Sequence, residues 1–68
     1  LTKPERKTDL RVKLTGQNGN VFNLIGIVRK ALIKANHKDL AKEMQDRVFK
    51  AESYNDALNI MDEYVEIY

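Results

Sequence analysis

Few side chains in this chain can do chemistry near neutral pH, and their spacing does not favour catalysis. His37 is the only imidazole, Ser53 the only serine, and there is no cysteine. General acid–base and nucleophilic catalysis need a base held within reach of a nucleophile, and no Ser or Cys stands at a telling distance from His37. Ser53 precedes a short amphipathic stretch and reads as a helix cap. Asp62 and Glu63 are adjacent carboxylates, yet successive helical residues point about 100° apart. With Glu66 they read as a solvated acidic surface and not as a paired acid and base. Zinc requires several His or Cys ligands at defined spacing, which excludes a structural zinc site. No enzyme activity, metal or other cofactor is expected.

Binding chemistry is better represented. Gly16-Gln17-Asn18-Gly19-Asn20 lies between a strand pattern and a helix pattern, where phosphate-binding loops also lie. It lacks the third glycine of the dinucleotide fingerprint and the Lys-Ser/Thr pair of the P-loop, so it reads as a structural turn. Lys30, Lys34 and Lys38 are spaced as one stripe of a continuing helix, with Arg29 nearby, and Lys3, Arg6 and Lys7 lie near the N-terminus. A basic stripe with a basic arm is a nucleic-acid footprint, although no recognition helix or aromatic-interleaved strand accompanies it. Tyr64 and Tyr68 alternate with Val65 and Ile67 near the C-terminus. On a strand they share one side with Glu66, as amphipathic anchors of the kind enriched at interfaces.

The elements that position these residues follow from periodicity. Residues 1–8 are polar and charged, contain Pro4 and show no period, so a flexible basic tail is expected ahead of a single domain over 9–68. Leu10, Val12 and Leu14 alternate with Arg11, Lys13 and Thr15, the pattern of a half-buried strand. After the Gly-Asn turn, with Asn20 or Asn18 as cap, Val21 to Ala35 forms the central helix. Its broad apolar face is Val21, Leu24, Ile25, Val28, Ala31, Leu32 and Ala35, with Val28 and Leu32 at the centre of the core. Phe22 and Ile33 form a second patch beside Gly26. A glycine costs about 1 kcal/mol against alanine in a helix interior, so another backbone is expected to approach that face. Asn36 suits the left-handed residue that ends a helix.

A second helix is expected from Asp39 or Leu40 to about Ala51, with Leu40, Ala41, Met44 and Val48 inward and Phe49 covering the next turn. A third opens at Ser53 and is followed by a closing strand over residues 64–68. The expected fold is a small α+β domain, β-α-α-α-β, with a two-stranded sheet of the N- and C-terminal strands packed on three helices. Strand direction stays open, four tight reversals giving parallel strands and one open connection antiparallel ones, with antiparallel pairing favoured on frequency. Val65 and Ile67 then share the buried face with Leu10, Val12 and Leu14, and Glu66 faces Arg11 and Lys13.

Length and charge complete the reading. A 68-residue chain holds a core that yields only about 3–5 kcal/mol, with no disulfide or metal to add to it, so association is a natural source of further stability. Net charge is +2, but residues 1–38 carry nine basic and two acidic side chains while residues 39–68 carry three and eight. The two halves are expected to neutralise each other on packing. No apolar run of about 18 residues suggests a membrane span, and Leu1 to Lys7 lacks the apolar segment of a signal peptide. A cytoplasmic protein is expected.

The run Val12 to Phe22, with Ile25-Gly26 after it and Tyr64-Val65-Glu66-Ile67 at the end, resembles a group of small uncharacterised bacterial proteins associated with phage and mobile elements. The resemblance spans roughly residues 10–68 and implies no known activity or functional residues. The leading expectation is a non-catalytic binding or adaptor module acting by protein–protein contact. Its candidate interface is Arg11, Lys13, Tyr64, Glu66 and Tyr68, which serves either a weak homodimer or a monomer that docks a different partner. The alternative is an accessory nucleic-acid-binding protein using Lys3, Arg6, Lys7, Lys30, Lys34 and Lys38.

Overall fold

The computed structural model describes residues 6–68, and Lys3 lies outside them. The element order is β1 (Arg11–Val12), α1 (Val21–Lys34), α2 (Lys38–Phe49), α3 (Tyr54–Asp62) and β2 (Glu66–Ile67). This is the expected small α+β domain, with both strands in one two-stranded sheet.

Local chemistry sets the boundaries. The Leu14 carbonyl accepts from the Gln17 N–H at 3.1 Å, and Gly16 inside that turn takes φ +84°, a value with no steric cost for glycine. Asn20 caps α1, its side-chain oxygen accepting from the Phe22 N–H at 2.8 Å. Asn18 accepts from the Asn20 N–H at 3.0 Å. At the other end Asn36 adopts φ +66°. The Asn36 N–H donates to the Ile33 carbonyl at 3.0 Å and the His37 N–H to the Leu32 carbonyl at 2.8 Å. These are the two reverse bonds of a Schellman motif, so α1 stops one residue before the expected end. Ser53 caps α3 by accepting from the Asp56 N–H at 3.1 Å.

The strands pair in parallel, with Arg11 opposite Glu66 and Val12 opposite Ile67, which corrects the antiparallel expectation. Short connections turn the chain before α1, between α1 and α2, between α2 and α3, and after α3. An even number of reversals returns the second strand along the direction of the first. The ladder is also shorter than residues 10–14 and 64–68. At its far end the Leu14 and Thr15 N–H groups both converge on the Tyr68 carbonyl, at 2.6 and 2.9 Å. At its near end the N–H groups of Tyr64 and Val65 both donate to the Met61 carbonyl. Those two residues therefore belong to the turn that closes α3 and do not alternate as a strand would.

The largest fully buried side chains are Tyr64, Leu32, Met44, Met61, Val28 and Val65, and Val28 and Leu32 occupy the centre assigned to them. Arg6, Lys7 and Thr8 were expected in the flexible tail, but they are tied down. The Arg6 guanidinium donates to the Asp62 carbonyl at 3.0 Å and to its carboxylate at 3.0 Å. The Lys7 N–H reaches the Glu63 carbonyl at 3.0 Å, and the Thr8 hydroxyl the Tyr64 carbonyl at 2.6 Å. A helix leaves its last carbonyls without intrahelical donors, and this segment supplies donors to the end of α3.

Gly26 supplies a second correction. Nothing among the described residues lies within 4 Å of the place a Gly26 Cβ would occupy, so no backbone packs there as expected. No helix among the described residues is long and apolar enough to cross a membrane.

Two substitutions test this packing in thermal or denaturant melts. Leu32→Ala removes a fully buried side chain and should cost about 2–5 kcal/mol, leaving a domain of this size largely unfolded at room temperature. Gly26→Ala meets no neighbour and should instead stabilise by about 0.5–1 kcal/mol. An unchanged melt for Leu32→Ala would place the helix face elsewhere.

Candidate functional site

The sheet surface forms only in part. Arg11 Nε lies 3.0 Å from Glu66 Oε2, the charge pair expected across the strands, and the Arg11 guanidinium sits 4.6 Å from the Tyr68 ring centroid. Both charged side chains are well exposed, so the pair contributes little to stability. Lys13 is exposed. Tyr68 is half-exposed and borders a hollow of about 360 Å³ floored by Leu14, Leu24, Leu58 and Ile67. Across it, the Tyr54 hydroxyl donates to the Gly19 carbonyl at 2.7 Å, fastening the start of α3 to the turn before α1.

Tyr64 does not stand on that surface. Its exposure is 0%, because the turn after α3 points it under the helices. Its hydroxyl donates to Glu43 at 2.5 Å and accepts from Arg47 at 3.2 Å, both on α2. The same Arg47 forks onto Glu63, at 2.8 and 3.0 Å, and Lys7 Nζ lies 5.9 Å from the Tyr64 ring centroid. Burial, then the bond to Glu43, raises the Tyr64 pKa above its ordinary 10.0, with Arg47 opposing. Hydrogen bonding from Arg47 lowers the Glu63 carboxyl, and the bonds to Glu63 and Tyr64 raise Arg47. Tyr64 is thus a structural clasp between α2 and the C-terminal segment.

The basic residues are divided differently from the sequence pattern. Arg6 is engaged by Asp62. Lys30 and Lys34 lie on α1, but the turn at Asn36 breaks the stripe and Lys38 opens α2. Lys38 instead borders a hollow of about 390 Å³ with Arg29, Ile33, Lys42, Gln45 and the acidic Asp46. Among the described residues Arg29, Lys30, Lys34 and Lys38 form no ion pair, whereas Lys42 pairs with Asp46 at 3.2 Å. At the start of α1 the Phe22 N–H is already taken by Asn20, leaving fewer amides for an anion.

The same face carries two residues that were not assigned to an interface. Phe22 on α1 and Phe49 on α2 are 68% and 57% exposed, with ring centroids 6.3 Å apart. Phe49 therefore lies beside Phe22 on the surface, with both rings largely exposed. A hollow of about 240 Å³ lies beside them over Gly26, lined by Phe22, Asn23, Ile27 and Lys30. The available signal was the second apolar patch of Phe22, Ile33 and Gly26, together with Phe49 falling outside the inward face of its own helix.

The Tyr64 pKa gives a pH test with a defined sign. A hydroxyl whose folded value is raised binds its proton more tightly in the folded state, so its contribution is complete below pH 10 and falls as pH rises beyond it. Melting temperature should drop more steeply above pH 10 in the wild type than in Tyr64→Phe, and parallel curves would rule out the clasp as a titrating group. Set against known proteins, the chain matches no family model, no curated protein and no solved structure.

Proposed function

We propose that this chain is a non-catalytic protein-binding module whose contact surface is the α1–α2 face headed by Phe22 and Phe49. The observation that carries the reading is the exposed pair of phenylalanine rings, 6.3 Å apart. Each phenylalanine side chain withdrawn from water contributes about 1.5–3 kcal/mol, and little of that is gained within the chain. Aromatic side chains are enriched in the buried centres of protein interfaces and depleted elsewhere on surfaces. Ile27 and Ile33 extend the apolar area, being half-buried beside it.

Two observations weigh against the nucleic-acid alternative. Arg6 is held by Asp62 and Lys7 sits near the Tyr64 ring, so these two members of the basic arm are engaged within the fold. The remaining lysines divide between two helices, Lys38 beside Ile33 and Lys30 beside Phe22 and Ile27. A reducing, cytoplasmic setting, suggested by the absence of cysteine, belongs to the same proposal.

The test compares immobilised wild type with Phe22→Ser/Phe49→Ser and with Tyr68→Ser in extract of the source cell, with and without nuclease treatment. The double variant should melt within a few degrees of the wild type and lose the captured protein, while Tyr68→Ser retains it. Equal capture by the double variant would overturn the proposed surface. Capture abolished by nuclease would favour nucleic acid.

A further inference from the structure

The exposed face of α1 has a regular make-up. At about 100° per residue, Phe22, Gly26, Arg29 and Ile33 fall within one narrow stripe, with Lys30 at its margin. Phe22 to Ile33 spans about 16 Å, or three turns. On α2, Lys38, Lys42, Gln45 and Phe49 repeat the same spacing in the opposite direction. Phe49 meets Phe22, and Lys38, Lys42 and Gln45 border one hollow with Arg29 and Ile33. The two stripes enclose a shallow trough with aromatic rings at one end and, at the other, Arg29 and Lys38 beside the Lys42–Asp46 pair.

Gly26 lies on α1 beside this trough, in a hollow lined by α1 residues alone. It weakens α1 and no neighbour among the described residues needs the room. What the missing side chain does provide is a hollow of about 240 Å³ open to solvent, in which a second backbone can come close to α1. The other hollow surrounds Ile33, seven residues on, about 10.5 Å along the axis. Two hollows at that separation match side chains seven apart on a docked helix. Around them Arg29, Lys30 and Lys38 have no ion-pair partner among the described residues, and carboxylates flanking the apolar stripe of an incoming helix would supply one.

We infer that the α1–α2 trough seats an acidic amphipathic helix of a partner protein, lying across Gly26 with apolar side chains in the two hollows. The inference rests on the proposal above that this face binds protein, and it adds the partner's chemistry. Phosphate backbones would answer the cations but leave the apolar floor and the glycine without a role.

The test uses the full chain and a labelled 15-residue helix-forming peptide with leucines seven apart, a third leucine between them, and glutamates on both flanks. The same peptide with lysine in place of glutamate is the control, and a single-stranded oligonucleotide is titrated in parallel. The glutamate peptide should bind saturably, at least tenfold tighter than the lysine peptide, and weaken as salt rises. Gly26→Gln should retain the helical spectrum and melt no lower than wild type, yet bind the glutamate peptide at least tenfold more weakly. Equal binding of both peptides, binding of neither, or full binding by Gly26→Gln would overturn the inference. So would an oligonucleotide that binds more tightly than the peptide and depends on Lys30 and Lys34. Should the glutamate peptide fail while capture of a protein still requires Phe22 and Phe49, the acidic helix is wrong and the binding module stands. Failure of both removes the module as well.

Discussion

The fold depends on burying one tyrosine without stranding its hydroxyl. Tyr64 is the largest fully enclosed side chain, and a hydroxyl taken from water without a partner costs several kcal/mol, about 2–7 by the reference state. Glu43 and Arg47 meet it from α2, so the C-terminal segment can only seat where that helix presents both. Arg47 then holds Glu63, which fixes the end of α3, and the backbone beyond Tyr64 is aimed at β1. The Thr8 hydroxyl takes the Tyr64 carbonyl and accepts from the Leu10 N–H at 3.2 Å, carrying the constraint into the first strand. One aromatic ring thereby links three separate stretches of chain.

Charge follows the same connections. The basic and acidic halves neutralise each other only in part, through Arg6 with Asp62 and Arg11 with Glu66. Both pairs lie where the two ends of the domain come together. Arg29, Lys30, Lys34 and Lys38 lie far along the chain from these contacts and stay outside the neutralised region. The net basic character of the first half thus becomes a local property of one face of the molecule. Screening by salt limits its reach to about 10 Å at 0.1 M.

What was legible in the sequence was what local chemistry decides. The caps at Asn20 and Ser53, the left-handed Asn36, and the inward faces of α1 and α2 depend on neighbours a few residues away, and these are present. Tyr64 was misread because a period of two across five residues looks the same in a strand and in a turn that runs into one. Its inward direction depends on Glu43 and Arg47, some twenty positions back. Strand direction depends on the number of reversals, which no single segment encodes. The docking of Arg6, Lys7 and Thr8 depends on carbonyls 56 residues away, and backbone acceptors leave no mark in a sequence. The patch of Phe22 and Gly26 and the outlying Phe49 stood out separately as misfits, but only the packing of α1 on α2 brings the two rings together.

Parallel pairing of the first and last strands also determines how the domain answers tension. The chain enters β1 at one end of the ladder and leaves β2 at the other. A pull on the segments before Arg11 and after Ile67 therefore slides the strands along each other. All the bonds between them are loaded together, as are the Lys7 and Thr8 bonds to the end of α3. Antiparallel strands at the same positions would place both handles at one end and open bond by bond, like a zipper. A ladder of two residues per strand is weak in thermal terms, but this geometry loads it in shear and not in sequence.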